Sequence, residues 1–312
     1  MTRARPAEGS HRSSVGGPLV TSRDWAVECG YRASARVAAM LPAGLVAPVA
    51  ALAGRCAATT MRRQRRLVAH HLGRVEGGDL TGHARRQAVT AAFASYARYW
   101  LETFRLPRQP AAEIAVAMGT EGVELLDAAL HEGRGAILAV PHLGGFDAGA
   151  AWLAATGRPV TTVAERVRPA RLFDWFVAQR GALGVEVIAH SAGAHDVLRH
   201  ALAAGRVVAL VCDRDLGRRG VEVDFFGERT TLPTGPARLA LETGAPLLPA
   251  AVYFAGSGHR AVVRPPIPAR PSGRFRDDIA RVTQRVAHEL EALIRVAPEQ
   301  WHLMVPNWPS DP

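Results

Sequence analysis

The chain has 312 residues, of which 48% are apolar and 21% are charged. This length and composition exclude a short interaction peptide and a largely disordered chain, because there are enough apolar residues to bury a substantial core. All 38 basic residues are arginine and the formal net charge is +10. Such a surface favours polyanions such as nucleic acid, anionic lipid surfaces or phosphorylated cofactors.

Cysteine spacing and the N-terminus indicate the cellular setting. Cys29, Cys56 and Cys212 have neither disulfide-framework nor metal-ligand spacing, which favours a reducing cytosolic compartment. Residues 1–22 are rich in Arg, Gly and Ser without a continuous apolar stretch, so they are expected to form a flexible tail and not a secretory signal. Residues 23–308 are expected to form a single domain.

An uncharged stretch at residues 37–54 is the first segment suited to a membrane. It is interrupted by Pro42, Gly44 and Pro48, whereas a spanning helix needs about 20 strongly apolar residues. The stretch therefore predicts an interfacial helical segment over residues 24–60. A helical layer packed on the domain is the alternative. The following run, residues 62–66, holds four arginines that suit either lipid or nucleic-acid phosphates or a solvated helix face.

Helices and strands alternate from residue 124 onward. Apolar runs predict strands over residues 136–140, 160–163, 185–188, 207–212 and 247–254, with 261–263 pairing beside the last. Helical patterns end near residue 131 and cover residues 172–179, 192–203, 234–243 and 279–294. This alternation predicts an α/β fold with a central, mostly parallel sheet and helices on both faces. An earlier aromatic stripe over residues 93–104 predicts a core helix, and Trp301 and Trp308 are expected to pack back on the domain.

The segment at residues 140–147 is the most informative for chemistry. His142 follows a buried strand, and Gly144, Gly145 and Asp147 follow it at the start of an apolar helix. Ligands in open α/β sheets bind outside the carboxyl ends of the strands, where this histidine lies. We expect Asp147 to fold back onto one imidazole nitrogen and leave the other as a base. Amides at the helix start are expected to serve an oxyanion or phosphate.

A second polar segment begins where the strand over residues 207–212 ends, so its side chains are expected at the same sheet edge. Asp213, Asp215 and Glu222 are candidates for a second carboxylate on the histidine or for holding the acceptor. Arg214, Arg218 and Arg219 are candidates for bidentate phosphate contacts. The alternative is a solvated loop whose charges pair with each other.

Other chemistries fit the sequence less well. No second histidine lies near His142 at ligand spacing, so no metal site is expected. A serine-hydrolase reading lacks the G-x-S-x-G elbow, and a phosphate-binding P-loop lacks its lysine.

Together these motifs resemble a known family. The His142-x4-Asp147 motif after a strand is similar to the HX4D motif of bacterial glycerolipid-type acyltransferases. The surrounding sequence resembles the lipid A lauroyl acyltransferase superfamily, and more closely its phosphatidylinositol mannoside acyltransferase branch, over about residues 24–308. The supporting segments are residues 95–100, 164–166, 213–216, 223–227 and 244–250.

The resemblance implies a single acyltransferase domain that moves a fatty acyl chain from acyl-CoA to a sugar hydroxyl of an anionic glycophospholipid. It implies peripheral attachment to the cytoplasmic face of the plasma membrane, acyl-CoA as a co-substrate, no permanently bound cofactor and no nucleic-acid partner. Matching positions make His142 the general base and Asp147 its partner. Arg180 lies where the family places an arginine near the reacting head groups, Glu222 is a further carboxylate, and Glu165 and Arg166 are pocket residues.

Two alternatives stay open. In the first, the protein is an acyltransferase that acts on another lipid acceptor, such as a lysophospholipid or a lipid A precursor. In the second, the chain is a non-enzymatic basic protein that binds lipid or nucleic acid through Arg62–Arg66. The second alternative predicts strong salt dependence and indifference to substitution of His142.

Overall fold

The structure is a computed structural model that describes residues 22–78, 81–215, 217 and 219–312. The expected tail over residues 1–22 lies outside the described residues except for Ser22, with which the first helix begins. Arg218, one of the expected phosphate-binding arginines, also lies outside them.

The described residues form eleven α-helices, nine strands and two short 3-10 helices. The helices are α1 Ser22–Met40, α2 Ala43–Thr60, α3 Arg62–Glu76, α4 Gly82–Arg105, α5 Ala111–Val116, α6 Val123–His131, α7 Phe146–Ala155, α8 Ala170–Gly181, α9 Ala194–Ala203, α10 Gly235–Thr243 and α11 Phe275–Val296. The strands are β1 Met118–Glu121, β2 Ala136–Val140, β3 Val160–Ala164, β4 Val185–Ala189, β5 Val207–Val211, β6 Val221–Phe225, β7 Glu228–Leu232, β8 Leu247–Ala255 and β9 Gly258–Val263. The 3-10 helices are Leu106–Arg108 and Pro298–Gln300.

Within the described part of the chain, seven strands form one sheet in the order β1-β9-β8-β2-β5-β3-β4. The strands β8, β2, β5, β3 and β4 are parallel, and β9 joins β8 as an antiparallel neighbour. Because β2 lies between β8 and β5, the loop after β2 begins near the middle of the sheet. The predicted His142 site therefore lies at the carboxyl ends of the central strands.

The two faces of the sheet are buried under different helices. On β2, Ile137 and Ala139 pack in a core with residues of α9, α10 and α11. The alternate residues Ala136 and Leu138 pack in a second core with residues of α6 and α7. Strands buried on both faces read as continuous apolar runs, as this one does. The expected α/β fold with helices on both faces is confirmed.

The N-terminal helices pack beside this domain, with α2 lying against α4. A Cβ atom added at Gly54 would lie 2.4 Å from the backbone nitrogen of Ala94, so the glycine allows the two helices to approach closely. Leu45, Val49 and Leu52 on α2 are exposed. Among the described residues, α2 is the one helix whose length and composition would let it cross a membrane, and Pro48 lies inside it.

The strands β6 and β7 form a hairpin that the sequence patterns did not predict. Residues of β6 alternate, with Val223 and Phe225 buried and Glu222 and Asp224 exposed. This period of two is the pattern of a half-buried strand, but the charges around it favoured a loop. The alternation turns Glu222 away from the core.

Candidate active site

His142 and Asp213 come together because their strands are neighbours. In the parallel pair of β2 and β5, Val140 lies opposite Val211. Two residues further along each strand direction, His142 and Asp213 therefore face each other. The amide of Cys212 donates to the carbonyl of Val140 at 3.0 Å, which extends the pairing beyond the strands and fixes this register.

The carboxylate of Asp213 contacts His142 at two points. His142 Nδ1 lies 2.5 Å from one carboxylate oxygen, and the His142 amide donates to the other at 3.0 Å. The indole Nε1 of Trp301 donates to that second oxygen at 2.7 Å. Asp213 is fully buried. Burial raises the pKa of its carboxyl, but His142 and the hydrogen bonds from His142 and Trp301 together outweigh burial and hold the pKa below its ordinary value.

This geometry defines what His142 can do. An ionised Asp213 accepts a hydrogen bond from Nδ1–H, which leaves Nε2 as the acceptor nitrogen of a neutral imidazole. His142 also lines an apolar cavity. The arrangement suits a general base whose imidazolium form is stabilised by a buried carboxylate.

Asp147 has a different set of partners from the one expected. The guanidinium of Arg180 donates to both carboxylate oxygens of Asp147, from Nε and Nη2, each at 2.9 Å. The Tyr99 hydroxyl also donates to Asp147, at 2.8 Å. The expectation that Asp147 orients His142 is therefore corrected: its oxygens are engaged by Arg180 and Tyr99, and Asp213 takes that place. Asp147 instead ties the start of α7 to α4 and α8.

Charge reinforces this buried group around Asp147. Burial lowers the pKa of the Arg180 guanidinium, but Asp147 and Tyr99 outweigh it and raise the pKa above its ordinary value. Burial and the nearby Asp147 raise the pKa of Tyr99 well above its usual range, so its hydroxyl stays a donor. Arg180 lines the cavity as expected of a residue near the head groups, but its guanidinium is engaged by Asp147.

Gly144 and Gly145 also have a different role from the one expected. The amide of Gly144 donates to Gln300 O and the amide of Gly145 donates to Val252 O, both at 2.9 Å. A Cβ at Gly144 would lie 2.1 Å from Val252 O, where φ is +54°. These glycines therefore let the loop approach β8 closely, and their amides are not available to an oxyanion. The amide of His142 is likewise taken, by Asp213.

The remaining expected residues divide into two groups. Glu165 and Arg214 line the cavity, with 3.6 Å between their charged groups, and Arg214 Nε is buried without a hydrogen-bond partner in the described residues. The carboxylate of Asp215 instead accepts hydrogen bonds from the amides of residues 217 and 220 within its own loop. Arg166 is exposed, and its guanidinium lies 5.9 Å from the ring of Phe173.

Glu222 is corrected as well. Its side chain is 70% exposed on β6 and contacts Arg229 at 3.5 Å. The strand alternation that buries Val223 points Glu222 to solvent, so it does not line the cavity beside His142. The second carboxylate expected on the histidine is Asp213.

An apolar cavity of about 390 Å³ extends from His142 into the domain. Its walls include four members of the aromatic stripe on α4, and Phe146 lines it as well. Of the stripe, Phe93 is a core residue, whereas the others serve as cavity wall, namely Tyr96, Tyr99, Trp100 and Phe104. The volume is in the range of small-molecule sites, and its mainly apolar wall suits a hydrocarbon chain.

Comparison with known proteins shows which family this chain belongs to. The sequence pattern of the family described as bacterial lipid A biosynthesis acyltransferases matches residues 21–310. The chain belongs to this family. The motif-based resemblance is thereby confirmed, and the matched residues include nearly all of the described residues.

Individual relatives extend the comparison. The phosphatidylinositol mannoside acyltransferase of Mycolicibacterium smegmatis is 37% identical over 287 residues, which cover 91% of this chain and 92% of that protein. Its namesake from Mycobacterium tuberculosis strain H37Rv is 44% identical over 230 residues, covering 72% and 71%. A lipid A biosynthesis acyltransferase of Haemophilus influenzae is 30% identical over 185 residues, covering 58% and 55%.

The C-terminal segment of this acyltransferase supplies site residues that the sequence analysis did not assign. Besides Trp301 on Asp213, the amide of His302 donates to the carbonyl of His142 at 2.7 Å, and Leu143 pairs with Trp301 in a short bridge. Trp301 and Trp308 are 5% and 2% exposed, so their expected packing on the domain is confirmed. The two tryptophans near the end of the chain were the signal, but nothing local indicates which carboxylate one of them contacts.

His302 is a second histidine beside the active site. Its Nε2 lies 2.9 Å from Ser95 Oγ, and its Nδ1 is buried without a hydrogen-bond partner in the described residues. Burial and the nearby His142 lower the pKa of His302 to about 3, and Asp213 opposes the shift. His302 is therefore neutral at physiological pH. No group of three or more potential metal ligands occurs in the part of the chain that the structure describes.

Proposed function

We propose that this protein transfers a fatty acyl chain from acyl-CoA to a sugar hydroxyl of a phosphatidylinositol mannoside. The observation that carries the proposal is the contact of His142 with the buried Asp213 at an apolar cavity. The names of relatives that are 37% and 44% identical support the choice of acceptor. In this proposal acyl-CoA is a co-substrate and no resident cofactor takes part.

His142 acts as the general base in the proposed reaction. Its Nε2 takes the proton of the sugar hydroxyl as the hydroxyl oxygen attacks the thioester carbonyl. Asp213 stabilises the imidazolium through Nδ1–H. The tetrahedral intermediate then collapses, the carbon–sulfur bond breaks, and the CoA thiolate leaves and recovers the proton. The products are the ester and free CoA, and no acyl-enzyme is formed.

The apolar cavity binds the acyl chain in this scheme. Each methylene group that leaves water contributes about 0.8 kcal/mol, so a long chain gains considerable binding free energy. Leu138, Leu153 and Phe176 are among the apolar walls. The charged pair of Glu165 and Arg214 lies on the same cavity and is suited to the polar parts of the reactants.

The N-terminal helices attach the protein to the membrane in this proposal. Trp25, Val37 and Met40 of α1 are exposed, as is Leu52 of α2, and Arg62–Arg66 follow α2 directly. Exposed apolar side chains beside a basic cluster suit an anionic lipid surface. Since one face of α2 packs on α4, docking in the plane of the membrane fits better than crossing it. The site would lie on the cytoplasmic side of the plasma membrane, where acyl-CoA is available.

Thiol release from palmitoyl-CoA by purified protein in detergent tests the reaction. Release is measured with and without phosphatidylinositol mannoside, for the wild type, His142→Ala and the control His288→Ala, which changes an exposed histidine on α11. We expect acceptor-dependent release that His142→Ala abolishes and His288→Ala preserves. Release that occurs only with lysophospholipid or a lipid A precursor would show that this lipid, and not phosphatidylinositol mannoside, is the acceptor. Release unaffected by His142→Ala would exclude the mechanism.

A further inference from the structure

A second cavity of about 350 Å³ lies between α1, α8 and the 3-10 helix that follows α4. Arg32 and Arg36 come from α1, and Arg108 comes from the 3-10 helix. Trp175 and Gln179 of α8 complete it on another side. Arginines from two separate segments thus line one cavity together with a side-chain amide.

The positive charge in this cavity is only partly neutralised. Arg32 pairs with Glu28 at 2.9 Å. Within the described residues, neither Arg36 nor Arg108 has an ion pair or a side-chain hydrogen bond. Arg32 and Arg36 are also four residues apart on one helix, where like charges destabilise the helix. An anion bound between these arginines would remove that repulsion.

The second cavity adjoins the apolar cavity of the active site. Phe104, Trp175 and Gln179 line both. On α1, the neighbouring residues Val37 and Met40 are exposed apolar side chains. An anion in the second cavity would therefore lie between the proposed acyl-chain site and the proposed membrane surface, where the reactants carry their phosphates.

We infer that Arg32, Arg36 and Arg108 form a binding site for a phosphate group of a reactant. Guanidinium groups bind phosphate through paired, charge-assisted hydrogen bonds, and they keep their charge at any physiological pH. The phosphate belongs either to the phosphodiester of an anionic phospholipid or to the nucleotide part of the acyl donor. These two sources rest on the proposed function, whereas phosphate binding itself does not require turnover.

Isothermal titration without turnover tests the site. One arm uses dihexanoyl phosphatidylinositol as dispersed monomers, with dihexanoyl phosphatidylcholine as its zwitterionic counterpart, and the other arm uses CoA. The proteins are the wild type, Arg36→Gln, Arg108→Gln and their double variant. Arg55→Gln is the matched control, because Arg55 is an exposed arginine on α2 that does not line the cavity. Thermal unfolding verifies that each variant is folded.

We expect each single variant to weaken the binding of one of the two ligands by about tenfold, since one charge-assisted hydrogen bond has about that effect. The double variant is expected to weaken the binding of the same ligand further. Arg55→Gln is expected to stay within twofold of the wild type. Weakening in the phosphatidylinositol arm assigns the site to a lipid phosphate, and weakening in the CoA arm assigns it to the nucleotide.

The inference is overturned if the cavity variants bind both ligands as tightly as Arg55→Gln does, or if the wild type binds neither. The inference would also be overturned if the variants weakened phosphatidylcholine binding to the same degree, because the loss of binding would then not depend on the net anionic charge of the lipid. Because no acyl transfer is measured, loss of phosphate binding is distinguishable from failure of the proposed reaction.

Discussion

The two aspartates near His142 have different neighbours. Asp213 contacts the imidazole and the indole of Trp301, whereas Asp147 is held by Arg180 and Tyr99. Sequence distance suggested the opposite, since Asp147 is five positions from His142 and Asp213 is 71 away. In a parallel sheet the carboxyl ends of adjacent strands are close in space regardless of their separation in sequence.

We predict that Asp147→Ala destabilises the protein by about 1–3 kcal/mol, because it leaves the half-buried Arg180 guanidinium and the Tyr99 hydroxyl without their partner. Denaturant unfolding gives the free energy of unfolding. Asp174→Ala is the control, since Asp174 is an exposed aspartate on the same helix as Arg180. A loss at Asp147 no larger than the loss at Asp174 would refute a structural role for the Asp147–Arg180 pair.

His302 predicts a pH dependence of stability. Its pKa is about 3 in the fold against 6.5 for the ordinary group. Between these values the unfolded chain binds a proton that the folded protein does not, so stability falls as pH decreases below 6.5. The expected slope is up to about 1.4 kcal/mol per pH unit.

The variant His302→Gln removes this titration while keeping a side-chain amide near Ser95. We expect the free energy of unfolding to depend less steeply on pH between pH 6.5 and 5.5 in the variant than in the wild type. Denaturant unfolding at several pH values measures both slopes. Equal slopes would show that His302 is not held in its neutral form by the fold.

At the level of elements, the packing of α2 on α4 depends on one glycine. Gly54→Ala places a Cβ atom against the backbone of Ala94, whereas Gly44→Ala on the same helix meets no atom within 4 Å. We predict that Gly54→Ala destabilises the protein by about 1–3 kcal/mol. Gly44→Ala is expected to be neutral or slightly stabilising because alanine favours helix. Thermal unfolding of the two variants compares them, and equal midpoints would contradict close α2–α4 packing.

Element prediction from sequence worked where one pattern dominated. The apolar runs of β2, β5 and β8 identified the parallel core of the sheet, because strands covered on both faces carry few polar residues. The strand β1 was missed since its four residues are mostly exposed and carry no periodic signal. Strand order is also absent from local patterns, and without the β2–β5 pairing the partner of His142 could not be assigned. The same holds for Trp301, whose contact depends on how the C-terminal segment crosses the sheet edge.

On the scale of the whole molecule, exposed apolar side chains concentrate on the N-terminal helices. Val37 on α1 is 68% exposed and Val296 on α11 is 60% exposed. If α1 and α2 form the membrane-docking surface, Val37→Glu lowers binding to anionic lipid vesicles several-fold, because a charge must then enter the interface. Val296→Glu makes the same change elsewhere and is expected to leave binding unchanged. Vesicle flotation measures both, and equal binding by the two variants would place the docking surface elsewhere.

The most direct measurement for the proposed mechanism is the rate of palmitoyl-CoA thiol release by Asp213→Asn in the presence of phosphatidylinositol mannoside. Asp196→Asn, an exposed aspartate on α9, serves as the control. The His142–Asp213 assignment predicts that Asp213→Asn lowers the maximal rate by about 10² to 10⁴-fold while the protein remains folded, because the imidazolium loses its carboxylate. A folded Asp213→Asn protein that turns over within twofold of Asp196→Asn would contradict the assignment.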